Sequence, residues 1–384
     1  MMETSPIQEE AAALGAVPLV WAAATADQSH LNLGDALSPV MVALLSGLPV
    51  VHAGHNAKRT RMAAVGTIGQ MLQNGDVTVW GTGASRYSNP HVVPRSDRMP
   101  FTPYPGTRYR IAATRGPVSR ALFAQEETGA PAAYGDPVWL LPQFYRPQIE
   151  KKWELGVIAH LSDLSGSDLD APVRPELLRY QLPEEFRDSV RIIRTRTAIS
   201  AAALRERLDE ILACRRIVSA SLHGMVFAES YGIPCLYFSP RGTQRGLVRQ
   251  HLSPDNGQDL RITDLYQGLG LKELPVYVQS RRARTNWAHL MKSIDRFWEP
   301  KAFDYEPLLS AFPLEMAPLH PLPGQSVFEH PLIRDLPFQH TSYTRANMVA
   351  KTAPQGLKRL VRRLMKRDAD EAAADTSSET SGLH

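Results

Sequence analysis

The stretch "RRIVSASLHGMVFAESYGIPCLYFSP", Arg215–Pro240, holds two apolar runs with a polar turn between them. "RRIVSA" has the composition of a strand and "SLHG" is the turn. "LHGMVFAESYG" reads as a helix in which Leu222, Met225 and Val226 recur at i, i+3 and i+4. Gly232 and Pro234 stop that helix, and "PCLYFSP" begins a second strand. Strand, turn, helix and strand make the repeating unit of a mostly parallel sheet, whose ligands collect at the carboxyl ends of the strands. His223 falls in the first helical turn, where unpaired N–H groups and a partial positive charge attract anions and disfavour an imidazolium. Ser221 is positioned to cap the helix or touch a ligand, and Gly224 lets a backbone come close. On these residues alone, a capping motif with a buried histidine and a ligand site with a histidine base stand as alternatives.

The same grammar extends outward. "VPLVWAAA", "PVVHAG", "RMAAVG", "DVTVWGTG" and "RYRIAATRG" read as strands. Among them lie helical patterns at "ALSPVMVALLSG" (Ala36–Gly47), "TIGQMLQNG" (Thr67–Gly75) and "PVSRALFAQEE" (Pro117–Glu127). The proline- and aromatic-rich "YGDPVWLLPQFYRPQIEKKWE" then interrupts, and "LGVIAH", "RIIRT" and "SAAALRERLDEILAC" restart the alternation. The expected organisation is a flexible N-terminus (residues 1–16), one α/β domain over 17–150 and a second over 151–316. A Pro- and His-rich connecting segment (317–356), a basic amphipathic helix (357–367) and an acidic disordered tail (368–384) follow.

Composition narrows the function classes. With 384 residues, 43% hydrophobic and 21% charged, the chain is long enough for two buried cores. A net charge of +4 argues against a dedicated nucleic-acid binder. Cys214 and Cys235 belong to no CxxC or Cys/His cluster, so neither a structural metal nor a disulfide framework is expected. The acidic start "MMETSPIQEE" lacks the pattern of a signal peptide, and a reducing cytoplasm is the expected compartment. In "LKRLVRRLMKR" an apolar stripe faces six basic residues, a pattern that suits an appended helix or docking on an anionic membrane surface.

"SASLHGMVFAESYGIPCL" resembles the signature block of the polysaccharide pyruvyl transferase family. "NLGDALSPVMVALLSG" is similar to the family's Asn-x-Gly-Asp block, "VTVWGTG" to its Gly-x-Gly strand end, and "ATRGPVSRALF" to its Arg-Gly-Pro-x-Ser block. "YGDPVWLLP" is similar to the Gly-Asp-Pro segment and "RITDLYQGLGL" to the Asp-x-Tyr block. The resemblance implies two Rossmann-like domains facing a cleft, as in glycosyltransferase B enzymes. It also implies transfer of a pyruvyl group from phosphoenolpyruvate, without a further cofactor or metal, to a sugar acceptor, expected to be a lipid-linked oligosaccharide at the inner face of the cytoplasmic membrane.

By that resemblance His223 is the expected catalytic residue. Arg115, Ser221, Leu222, Gly224 and Arg241 are the expected donor-binding set, and Asn32, Gly34, Asp35, Gly81 and Gly83 the acceptor-binding set. Asp35 holds an acceptor hydroxyl or merely caps the helix from Ala36, and Gly81 and Gly83 suit backbone geometry as well as binding. Ser221 departs from the arginine that many relatives carry before Leu-His-Gly. The donor's charge then needs another cation, and Arg241, Arg245 and Arg249, at i, i+4 and i+8, offer one; a solvated helix face is the alternative for that trio. A sugar-nucleotide glycosyltransferase of the same architecture and a non-catalytic assembly component remain the competing function classes.

Overall fold

The computed structural model describes residues 5–123, 132–242, 244–321 and 323–340. The chain is mixed α/β and builds two six-stranded sheets. The first, wholly parallel, runs in spatial order Val50–His52, Val17–Val20, Arg61–Ala63, Gly75–Trp80, Thr107–Thr114, Ala133–Tyr134. The second runs Val190–Ile193, Leu155–Ile158, Ile217–Ser219, Cys235–Ser239, Glu273–Val278, Gly246–His251, and only its last pair is antiparallel. Burial explains why these strands read as unbroken apolar runs: every residue of Val17–Val20, Leu155–Ile158 and Cys235–Ser239 is buried.

Both sheets start alike. The first strand in each lies between the second and the third, so the chain leaves it once in each direction along the sheet. Such a reversal opens a crevice at the carboxyl ends of the first and third strands, because the flanking connections diverge there. In the first sheet this is the neighbourhood of Asn32–Asp35 and Gly66; in the second it is that of His160 and Ser221–His223. Both sheets belong to one compact unit ending at Phe338, while residues 25–28 group with Gln339 and His340. Within that second unit, Gln339 Nε2 donates to the carbonyls of Thr25 and Gln28.

Several local expectations need correction. Residues 1–16, expected to be flexible, contain the helix Pro6–Leu14. Ser5 caps it, Gly15 ends it at φ 63°, and Ile7 and Ala11 are buried one turn apart. The helix expected from Ala36 runs over Leu33–Ser46, and all of it except Asp35 is buried. "TIGQMLQNG" forms only the 3-10 turn Gly69–Met71. Arg245 and Arg249 do not share a helix with Arg241: Gly246–His251 is an edge strand, and Gly242 (φ 152°) and Gly246 (φ 82°) break any helical run.

The described part of the connecting segment, residues 317–321 and 323–340, packs on the fold. Ala317 and Leu319 donate their N–H groups to Leu45 and Leu44, and Phe328 meets Tyr145 edge-on at 5.1 Å. The basic helix expected at 357–367 and the tail at 368–384 lie outside the described residues. No helix among the described residues is long and apolar enough to cross a membrane.

Candidate active site

The two crevices meet. Leu31–Asn32 pairs antiparallel with Arg196–Thr197, and Leu33 N–H donates to Thr195 O, so the first sheet's loop is stitched to the second half of the chain. Asn32 is the N-cap of the Leu33–Ser46 helix but makes no side-chain capping bond. Its Nδ2 instead donates to Asp35 Oδ2 at 2.6 Å. Asp35 is therefore no cap; it sits in the first helical turn, half-buried, with Oδ1 turned toward Gly66, where a Cβ would come within 3.2 Å of it.

His223 lies on top of this loop. A Cβ on Gly34 would fall 1.9 Å from His223 Nδ1, so the glycine is what lets the imidazole approach. Nε2 on the other side lies 3.6 Å from Asp136 Oδ2. The ring is 8% exposed and Asp136 is 1% exposed. The Asn-x-Gly-Asp, Gly-Asp-Pro and Leu-His-Gly blocks thus converge on one imidazole.

The helix that carries His223, Leu222–Ser230, has an open N-terminus. Ser221 is its N-cap residue, but its hydroxyl makes no capping hydrogen bond, so the amides of the first turn keep their donors for another partner. Ser219 shapes the turn by accepting Ser221 N–H at 3.0 Å and donating to Ser221 O at 2.8 Å. Gly224 answers a packing need, since a Cβ there would meet Ser219 Oγ at 2.2 Å. Leu222 points its side chain into the core, so only its backbone is offered to the crevice.

Arg115 occupies a neighbouring position and is already partnered. It is 1% exposed; its Nε donates to Asp264 Oδ2 at 3.1 Å and its Nη1 to Thr67 Oγ1 at 2.8 Å. Asp264 also accepts Ser119 N–H at 3.0 Å and the Ser119 hydroxyl at 2.5 Å. Gly83 makes room for the guanidinium, because a Cβ would lie 2.2 Å from Arg115 Cζ, and Gly116 lets the Asp264 carbonyl approach. Gly81 (φ 82°) makes room for Pro137 in the same way. The geometry of Gly81 and Gly83 is accounted for by these contacts alone.

A protein-family model described as polysaccharide pyruvyl transferase matches residues 71–242. Over that span the chain is similar to the polysaccharide pyruvyl transferase family. A search of curated proteins and a search of solved structures each returned no match. The matched span includes His223, Arg115 and Asp136 and ends at Gly242, while Asn32–Asp35 and Asp264 complete the site from outside it. The matched family is, by its description, one of transferases of pyruvyl groups.

Arg241 lies at the edge of this arrangement. It is exposed, and its Nη1 donates to Gly257 O at 2.6 Å. A cation that sequence reasoning missed is better located: Arg261, in the first turn of the helix Leu260–Gly268 whose Asp264 holds Arg115. The Arg261 side chain is 32% exposed, and Asp259 holds it through Nε at 3.0 Å and Nη2 at 2.6 Å. Although burial opposes its charge, Asp259 chiefly and Asp35 more weakly keep the guanidinium firmly protonated.

Arg261 Nη2 also donates to His160 Nε2 at 3.2 Å, and burial first and then this cation push the His160 pKa down to about 4. The signal for both residues was present, since Arg261 opens the "RITDLYQGLGL" block and His160 ends the strand "LGVIAH". Their proximity, across a hundred residues of chain, was not. Among the described residues, no group of three or more His, Cys, Asp or Glu side chains is arranged to hold a metal ion.

Proposed function

We propose that this chain transfers the pyruvyl group of phosphoenolpyruvate to two hydroxyls of one sugar in a lipid-linked oligosaccharide, closing a cyclic ketal and releasing phosphate. One observation carries the reading: His223 stands at an uncapped helix N-terminus, at the crevice of one sheet, in contact with the Asn32–Asp35 loop at the crevice of the other. In this reading the two sheets are the Rossmann-like halves of a glycosyltransferase B-like fold, with the acceptor on the first half and the donor on the second. The enzyme works at the cytoplasmic face of the membrane, which the basic segment 357–367 contacts.

The chemistry asks for an anion site and for proton transfer. The first-turn amides of Leu222, His223 and Gly224 suit a phosphate or carboxylate, since they combine free donors with the positive end of the helix. Arg115 is buried against Asp264 with its side chain 1% exposed, so Arg261, 32% exposed, is the cation assigned to the donor, and His160 stays neutral beside it. His223 removes the proton of the attacking hydroxyl, as a histidine near neutrality is suited to do. Asp35, fixed by Asn32, orients the acceptor hydroxyls.

The test has two parts. Phosphoenolpyruvate alone, at about a hundred times its dissociation constant, is expected to stabilise the protein by about 2.7 kcal/mol against thermal unfolding, whereas nucleotide sugars leave it unchanged. With the lipid-linked oligosaccharide added, phosphate release and the mass of one pyruvate ketal on the saccharide should appear together. Stabilisation by nucleotide sugars in place of phosphoenolpyruvate would identify a glycosyltransferase; stabilisation by neither, with no phosphate released, a non-catalytic component.

A pair of variants separates the two candidate cations. Loss of a charge-assisted hydrogen bond of about 1.5–3 kcal/mol predicts that Arg261→Ala raises the Michaelis constant for phosphoenolpyruvate by about 10–100-fold. Arg241→Ala, removing an exposed side chain held by one carbonyl, is expected to change it by less than about twofold. The opposite ranking would return the donor site to Arg241.

A further inference from the structure

We infer that Asp136 is the positioning residue that decides which nitrogen of His223 handles the proton. The inference rests on the reading of His223 as the acid and base of pyruvyl transfer. Asp136 follows the last strand of the first sheet, and its two carboxylate oxygens face different ways. Oδ1 accepts Val138 N–H at 3.0 Å and so caps the 3-10 turn Pro137–Gln143. Oδ2 lies 3.6 Å from His223 Nε2. That nitrogen is buried and has no hydrogen bond, although a buried ring N–H without an acceptor is costly. The carboxylate is the acceptor within reach, at a separation that a small movement of the ring closes when substrate binds.

A carboxylate facing Nε2 holds the proton there, and the neutral ring is then the Nε2–H tautomer. Nδ1 keeps its lone pair. It lies on the Gly34 side, where the missing Cβ, which would have stood 1.9 Å away, lets the ring pack against the loop that carries Asn32 and Asp35. In the first half-reaction the hydroxyl oxygen bonds to C2 of phosphoenolpyruvate while Nδ1 takes the hydroxyl proton and passes it to C3, so O–H adds across the C2=C3 bond and the ring returns to its neutral form. In the second, the bond from C2 to the phosphate oxygen breaks, a second hydroxyl oxygen bonds to C2, and its proton leaves through Nδ1 with the phosphate. The Asp136 carboxylate stabilises the imidazolium that forms between proton transfers.

Asp136→Asn tests this with little change in shape. Only the amide oxygen can accept Val138 N–H, so keeping the cap turns the amide NH2 toward His223 Nε2. Nε2 must then accept, the ring becomes the Nδ1–H tautomer, and the lone pair on the acceptor side is lost. With 15N-labelled histidine, the imidazole shifts of His223 are expected to report Nε2–H in the wild type and Nδ1–H in the variant. Turnover should fall by about 10³–10⁴-fold, as when the carboxylate behind a catalytic histidine becomes an amide. The Michaelis constant for phosphoenolpyruvate should stay within about twofold, a split that loss of packing would not produce.

A wild-type ring protonated at Nδ1, or a tautomer that Asp136→Asn leaves unchanged, overturns the inference. The wild-type spectrum decides even if the variant does not fold. A tautomer that flips while turnover stays constant supports the pairing and overturns instead the reading of His223 as the base.

Discussion

Replacing His223 by Gln is expected to lower phosphate release from phosphoenolpyruvate by about 10²–10⁴-fold, the range a positioned acid and base contributes. Gln approximates the size of the ring and keeps a polar tip near Asp136, but it cannot exchange a proton near neutrality. The cost to folding should be small, because His223 makes no hydrogen bond at Nε2 that the change would break. A melting temperature close to wild type, with donor-induced stabilisation retained, would place the defect in the chemical step. A Gln variant that still releases phosphate at more than about a tenth of the wild-type rate would remove His223 from the reaction.

The largest expected effect on stability lies in a contact without histidine, the Arg115–Asp264 pair. Asp264→Ala strands the Arg115 guanidinium, which is 1% exposed, and it also strips Ser119 of the partner for its N–H and hydroxyl. Breaking a buried ion pair from one side costs about 3–5 kcal/mol, because an uncompensated charge remains inside. Chemical denaturation should show that loss as a lowered midpoint. Arg115→Met combined with Asp264→Leu should recover much of it, since the stranded charge is then gone. A single-variant loss below about 1 kcal/mol would mean that water or a rearrangement rescues Arg115, and would restore this arginine as a donor ligand.

How much of this was legible depends on the range of the interaction that carried it. The alternation of short apolar runs with helical patterns follows from local periodicity, and the fully buried strands Val17–Val20 and Leu155–Ile158 had declared themselves as short apolar runs. The helix behind "SLHG" was equally plain, because Gly232 (φ 68°) ends it where the glycine and Pro234 stand. Where local signals were ambiguous, the reading slipped. "ALSPVMVALLSG" concealed a start at Leu33 because Asn32 turns its side chain to Asp35 rather than to the helix amides. "SPRGTQRGLVRQ" mimics helical spacing, yet it forms an edge strand because its partner Glu273–Val278 supplies a ladder and its glycines take positive φ.

The sequence by itself determined an α/β chain with His223 at the start of a helix behind a strand, because strand and helix periods and turn residues act over a few positions. Only the tertiary structure decided what His223 faces: Gly34 on one side and Asp136 on the other, each brought from the first half of the chain. It likewise decided that Arg115 is buried against Asp264, 149 residues away, and that Arg261 is held by Asp259 with part of its side chain exposed. Charges and rings select partners by distance in space and by burial, neither of which spacing along the chain records.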